Sequence, residues 1–205
     1  MLSEKENLIK NLIAEGYLKT EKVIKAFREI PREEFVLKED RKFAYADYPL
    51  QIGCGQTISA PHMVAMMTEI LDPQKTDKVL EVGAGSGYQA AILSKLVKIV
   101  YTIEIDPILA EFAEENLKRV GCKNVKIIVG DGSRGYEKAK PYDKIIVTCA
   151  TPKIFDAWID QVKNNGIILA PVNSGFYQTL TMVIKKSGEI EKRYFGPCAF
   201  VPMRH

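Results

Sequence analysis

The sequence predicts an α/β fold: a doubly wound, mostly parallel sheet, with helices before it and an antiparallel edge hairpin after it. Three observations carry this expectation. From Lys78 onward, short continuous apolar runs alternate with helical stretches, as in a parallel sheet covered on both faces. A glycine cluster follows the first of these runs and opens a helix, at the edge where such sheets take their ligands. After Gln178 the alternation stops, and two strand-like runs flank Ser187-Gly188.

In chain order, Ser3-x-x-Glu6 is a capping-box pattern that opens a helix. Its apolar positions Leu8, Ile9, Leu12 and Ile13 recur at helical spacing until Gly16 ends it. Thr20 is placed to cap a second helix, with Val23, Ile24, Phe27 and Ile30 on one face and Pro31 as its stop. Residues 41–60 read as irregular, punctuated by Pro49, Gly53 and Gly55. A third helix covers 61–71 and halts at Asp72-Pro73. Strands are expected over 79–82, 99–105, 125–129, 143–148 and 166–171. Helices are expected up to Leu96 and over 107–120 and 152–162, with right-handed crossovers. The terminal strands cover 178–185 and 190–203. No fixed-period repeat or Gly/Ser/Pro-rich linker divides the chain. One domain over 1–205 is expected, with 1–77 as a helical leading segment and 78–205 as the α/β core.

Composition narrows the function classes. The 205 residues carry 29 Lys+Arg against 26 Asp+Glu, a net charge of +3 that does not favour a nucleic-acid-coating protein. At 46% hydrophobic and 27% charged the chain is ordinary globular material rather than disordered or low-complexity. The start of the chain, Met1 to Glu6, mixes charges and lacks the apolar core of a signal peptide. The longest apolar runs, such as 144–147 and 166–170, are too short to span a bilayer, so no membrane partner is expected. Cys54, Cys122, Cys149 and Cys198 form no C-x-x-C pair, and the two histidines are His62 and His205. Neither a metal site nor a disulfide framework is expected, and a reducing cytoplasm is the default location.

The strongest local signal is Glu81-Val82-Gly83-Ala84-Gly85-Ser86-Gly87, between a strand and a helix. Glycines serve where the backbone turns sharply and a ligand comes close to it. The G-x-G-x-G spacing differs from the G-x-G-x-x-G of dinucleotide binders. An acid just before it suits the cationic end of a ligand, such as an amino-acid ammonium. The plainer reading is a tight structural turn. Glu104 ends the second strand about 20 residues past the glycines, where an acid can accept ribose hydroxyls. Asp106, before Pro107, is assigned as a helix cap. Asp131, between Gly130 and Gly132 at the third strand end, can reach an adenine amino group, though Asp-Gly also makes simple turns. Three acids on one sheet edge, with the glycine loop, read together as an S-adenosyl-L-methionine site.

Residues 47–63 then carry a resemblance. The stretch Pro49-Leu50-Gln51-Ile52-Gly53-Cys54-Gly55-Gln56-Thr57-Ile58-Ser59-Ala60-Pro61 is similar to the P-x-x-I-G-x-G-Q-T-I-S-x-P hallmark of the protein-L-isoaspartate (D-aspartate) O-methyltransferases. The match continues through 79–91, Val129-Gly130-Asp131-Gly132, Pro141-Tyr142-Asp143 and Phe200-Val201-Pro202, nearly the whole chain. The resemblance implies a Rossmann-like class I methyltransferase that takes S-adenosyl-L-methionine as cofactor and isoaspartyl-containing peptides and proteins as partners. It implies methylation of the free α-carboxylate of L-isoaspartyl residues, or the β-carboxylate of D-aspartyl ones, which starts repair through a succinimide. It makes Ser59 the active-site serine. Thr57 and His62 would join Glu81, Gly83, Gly85, Ser86, Gly87, Glu104, Asp131 and Gly132 around the cofactor. Ile58, Ala60, Val201 and Pro202 would lie by the peptide.

The physics of the segment agrees. A helix N-terminus offers free N–H groups and positive partial charge to an incoming carboxylate. Thr57 or Ser59 could instead simply cap the helix at 61–71, and His62 could be a helix histidine with a local partner. An α-carboxylate is ionised at neutral pH, so no general base is needed and alignment is the enzyme's task. Two rivals stand beside this reading. Among nucleic-acid methyltransferases, an adenine-N6 enzyme would show an Asp/Asn-Pro-Pro-aromatic motif where this chain has Thr148-Cys149-Ala150-Thr151-Pro152. Cys149 as a nucleophile there competes with its plainer role as a small buried hydrophobe. The tRNA 1-methyladenosine enzymes, which share part of the architecture, are the more serious alternative, with the near-neutral charge and the 56–61 segment counting against them. A cofactor-binding module without catalysis is the other.

Overall fold

The computed structural model describes residues 3–187 and 189–204. Met1, Leu2, Gly188 and His205, which entered the expectations above, lie outside the described residues. Helix α1 (Glu4–Ala14) starts as its sequence dictates, with the Ser3 hydroxyl accepting the Glu6 N–H. It buries Leu8, Ile9 and Leu12, while Ile13 stays 40% exposed. Helix α2 (Glu21–Glu29) buries Val23, Ile24 and Phe27, and Ile30 is buried beyond its end. Thr20 precedes α2 but makes no cap. Its hydroxyl and its N–H both go to the Glu69 carboxylate of α3 (Pro61–Leu71), at 2.9 and 2.8 Å. The Thr20 hydroxyl is therefore spent on α3 and not on the first amides of α2.

Residues 50–58 depart from the irregular chain expected. Strands β1 (Leu50–Gly53) and β2 (Gln56–Ile58) pair antiparallel as a two-stranded sheet of their own. Cys54 and Gly55 both have positive φ, 51° and 69°, which a two-residue primed turn requires. Leu50 and Ile52 are buried and Gln51 and Gly53 exposed, but four residues are too short a window for that alternation to be told from irregular chain.

The main sheet has seven strands in the order β5-β4-β3-β6-β7-β8-β9. β3 (Lys78–Val82), β4 (Ile99–Glu104), β5 (Val125–Val129), β6 (Tyr142–Val147) and β7 (Val162–Asn173) run parallel. β8 (Gln178–Lys186) and β9 (Glu189–Cys198) add the expected antiparallel hairpin. Alternate residues feed two cores. Val79 and Ile146 join the larger one with α1 to α4 (Tyr88–Ser94) and α5 (Pro107–Arg119). Leu80, Val82, Ile145 and Val147 pack with Trp158 of α6 on the other face. Helix α6 is only Asp156–Gln161, shorter than expected. The residues before it are held extended, with Ala150 bridged to Pro202 and Thr151 to Val172. β7 is longer than expected at both ends, because β8 pairs with it as far as Asn173 and Tyr142 of β6 pairs with Val162. Among the described residues no helix is long and apolar enough to cross a membrane.

Candidate active site

The parallel strands deliver their C-terminal ends to one edge, where a cleft opens. The glycine loop forms its base. The N–H groups of Gly83 and Ala84 donate to the Ile103 carbonyl, at 2.8 and 3.2 Å, tying the loop to β4. Gly83 has φ +98°, and an added Cβ would lie 2.7 Å from the Thr148 hydroxyl. That hydroxyl donates to the Gly83 carbonyl at 2.5 Å, so the close approach is itself a bond. The Gly85 N–H donates to Glu104 Oε2 at 2.9 Å. Glu104 Oε1 takes the N–H groups of Ile105 and Asp106, at 2.9 and 3.1 Å. Glu104 is buried, and these three amides leave it about one of a carboxylate's four acceptor positions for a ligand.

Glu81 has no such partners. It is fully buried, and neither carboxylate oxygen is hydrogen-bonded within the described residues. Burial pushes its carboxyl up to about 8, the Thr102 hydroxyl opposes that shift, and the Glu104 charge adds to it. A buried carboxylate left without a partner is costly, and a cationic group entering the cleft would relieve it. The residues present therefore fit the sulfonium-and-ammonium end of S-adenosyl-L-methionine.

The other walls come from β2 and the chain end. Thr57, Ile58 and Ser59 line the cleft beside Gln56, and Phe200, Val201, Pro202, Met203 and Arg204 line it further round. The chain end is fixed by the Ala150 N–H donating to Val201 and the Met203 N–H to Ala150, both at 2.8 Å. Ser59 is half-buried, and its hydroxyl has no hydrogen-bond partner among the described residues. Neither Ser59 nor Thr57 caps α3, whose N-cap is Ala60 without a side-chain bond.

The expectation of free amides at the α3 N-terminus is not met. Pro61 has no N–H, the His62 N–H goes to Asp47 Oδ1 at 2.8 Å, and those of Met63 and Val64 go to Ala60. Asp47, absent from the expected set, is the actual cap. The Ser59 hydroxyl remains there as a donor for an incoming carboxylate.

Of the residues expected at the site, Ser59, Thr57, Ile58, Glu81, Gly83, Gly85, Ser86, Glu104, Gly132, Val201 and Pro202 meet in this cleft. Four do not line it. The His62 ring turns to Asp47, at 3.0 Å, and to Tyr17. Ala60 is buried. Gly87 lies behind the loop, where an added Cβ would press on Ala113 and Leu117 of α5. Asp131 turns back, its Oδ1 accepting the Ser133 N–H at 2.9 Å. Gly132 beside it does line the cleft, held by the Trp158 indole N–H donating to its carbonyl at 2.8 Å. Thr148, Gln89 and Arg204 line the cleft without having been expected there, as does Cys149, which the sequence raised only as the nucleophile of a rival reading. Thr148 was findable, a small hydroxyl one residue past β6 beside the glycines. Arg204 pairs with Asp106 at 3.1 Å across 98 positions of sequence, which leaves no local signal. Burial pushes the Cys149 thiol up to about 12, with the Glu104 charge adding, so it stays protonated and is no nucleophile. Among the described residues no group of three or more His, Cys, Asp or Glu could hold a metal ion.

Comparisons with known proteins bear on this cleft. The family described as Protein-L-isoaspartate(D-aspartate) O-methyltransferase (PCMT) matches residues 3–205. The chain is 52% identical over 208 residues to the protein-L-isoaspartate O-methyltransferase of Ignicoccus hospitalis, covering 99% of this chain and 98% of that one. It is 50% identical to the Hyperthermus butylicus enzyme of the same name, covering 97% and 88%. A solved protein-L-isoaspartate O-methyltransferase superposes with a TM-score of 0.90 at 31% identity, covering 98% of this chain and 66% of that longer one. A Plasmodium falciparum structure so described, in complex with S-adenosyl-L-homocysteine, superposes with a TM-score of 0.89 at 26% identity, covering 100% and 99%. Sequence motif, fold and cleft agree, and the chain belongs to the protein-L-isoaspartate (D-aspartate) O-methyltransferase family.

Proposed function

We propose that this chain is an S-adenosyl-L-methionine-dependent protein-L-isoaspartate O-methyltransferase that esterifies the free α-carboxylate of L-isoaspartyl residues in damaged proteins. The observation that carries this is one cleft holding both a buried, unpartnered Glu81 carboxylate and an unengaged Ser59 hydroxyl. The first suits a cationic methyl donor. The second suits an anionic acceptor.

When bound, S-adenosyl-L-methionine supplies a methyl group activated by its sulfonium charge. Glu81, protonated at neutral pH in the ligand-free protein, would ionise against the donor's cationic end, and Glu104 offers its remaining acceptor position to a ribose hydroxyl. The Asp131-Gly132 turn and the glycine loop close around the rest. Ser59 donates a hydrogen bond that orients the acceptor carboxylate. That carboxylate has a pKa of about 3.5–4 and attacks as it stands, without a base. Walls from 56–59 and 200–204 align the two groups and thin the water between them. In the released peptide the following backbone nitrogen displaces methanol from the ester to close a succinimide, which water reopens in part to normal aspartate.

The acidic floor and the near-balanced net charge of +3 support a peptide rather than a nucleic acid or a membrane surface as partner. The four free cysteines support a reducing, cytoplasmic setting. The test is labelled methyl transfer to an isoaspartyl peptide and, separately, to transfer RNA. A base-labile label on the peptide alone is expected. A base-stable label on the RNA would overturn the proposal.

A further inference from the structure

Two large hydrophobic side chains stand in the open at the ligand edge of the sheet. Phe176 is fully exposed and Tyr177 is 60% exposed. They occupy the turn between β7 and β8, which the Ser174 N–H closes by donating to the Tyr177 carbonyl at 2.7 Å. β7 runs parallel to β6 and β3, so this turn emerges on the same edge as the glycine loop. The next residue is stitched to the cleft wall. Gln178 donates from Nε2 to the Phe200 carbonyl at 3.0 Å and accepts the Phe200 N–H at 2.7 Å. Those bonds put the Tyr177 Cα within about 12 Å of Phe200, a span of about three or four extended residues. Single exposed apolar residues are ordinary on protein surfaces. Two in succession, beside the wall of a cleft, are not explained by packing.

We infer that Phe176 and Tyr177 form an apolar rim that docks the polypeptide flanking the isoaspartyl residue, where it leaves the cleft past residues 200–202. The inference rests on the proposed function. The rim lies beside the 200–202 wall, so it is within reach of the backbone of a substrate whose reactive carboxylate sits between Ser59 and that wall. A damaged, locally unfolded protein presents apolar side chains there. Rigid aromatic residues supply contact area at low conformational cost. The rim favours long, apolar-flanked substrates over short ones and leaves the chemistry untouched.

The test uses the full chain carrying Phe176→Ser and Tyr177→Ser together. Ile190→Ser serves as a control, since Ile190 is also exposed but pairs with Lys185 at the far end of the hairpin. Steady-state kinetics are measured on an isoaspartyl tripeptide and on a long isoaspartyl peptide with apolar residues three and four positions out on both sides. The double variant is expected to raise KM for the long peptide about fivefold or more, with kcat unchanged. The tripeptide KM and all Ile190→Ser values should match the parent. An active double variant with the parent's ratio of long- to short-peptide KM overturns the inference alone. Conversion from dimer to monomer with an unchanged ratio gives the surface to a second copy and also overturns it. No transfer by the parent to either peptide overturns the functional reading and this inference with it.

Discussion

Ser59 and Glu81 face the same cleft and make opposite demands on what enters it. A hydrogen bond to a charged group contributes about 1.5–3 kcal/mol, so Ser59→Ala should lower turnover by about ten- to a hundredfold. S-adenosyl-L-homocysteine affinity should not move, because Ser59 holds the acceptor. Single-turnover rates and calorimetric titration of the same variant check the two halves. Glu81 carries a pH signature. Its folded pKa of about 8 lies above the ordinary 4.5, so between those values the folded protein keeps a proton that the unfolded chain has lost. Stability is therefore highest with respect to this group below pH 4.5, declines as pH rises, and reaches its full loss above about 8. Glu81→Gln removes that dependence. The gain in Tm of Glu81→Gln over the ligand-free parent should widen from about pH 5 to about pH 8.5, read by thermal melts. At this scale the three strand-end acids were legible because register and strand direction fix which residue ends a strand. Side-chain direction was not. Asp131 and His62 stand where spacing puts them, yet each bonds a nearby partner, Ser133 for Asp131 and Asp47 for His62.

At the scale of elements, helix and strand periodicities were legible wherever an element packs against the core. The β1–β2 hairpin was not, because strands of four and three residues are too short for a period of two to stand out, although Leu50, Ile52 and Ile58 pack into the larger core. Nor was the start of α3, since the cap comes from Asp47, 15 positions back. The loop after β5 offers a test of close packing. A Cβ at Gly132 would lie 2.4 Å from Val82 Cγ1, a branched strand side chain with nowhere to go. Gly132→Ala should cost about 1–3 kcal/mol, as overpacking does. Val82→Ala removes the colliding atom. The double variant should be clearly less destabilised than the sum of the singles, by denaturant titration.

For the whole molecule, the absence of a linker in the sequence meets a larger core shared by both parts of the chain. Leu12, Phe27 and Ile58 from the first 77 residues pack in one cluster with Val79, Ile92 and Leu169. We propose one cooperative unit. A single calorimetric transition, with van't Hoff and calorimetric enthalpies equal, is expected, whereas two separable transitions would divide the chain near residue 77. That unity matters for function, because β2 brings Ser59 to a cleft whose floor belongs to β3 and β4.

The most direct measurement pairs two peptides identical but for isoaspartate or normal aspartate at one position, each incubated with the protein and labelled S-adenosyl-L-methionine. The account predicts base-labile label on the isoaspartyl peptide alone, followed by the appearance of normal aspartyl peptide as the ester cyclises and reopens. Equal labelling of both peptides, or label on neither while S-adenosyl-L-homocysteine still binds, would contradict it.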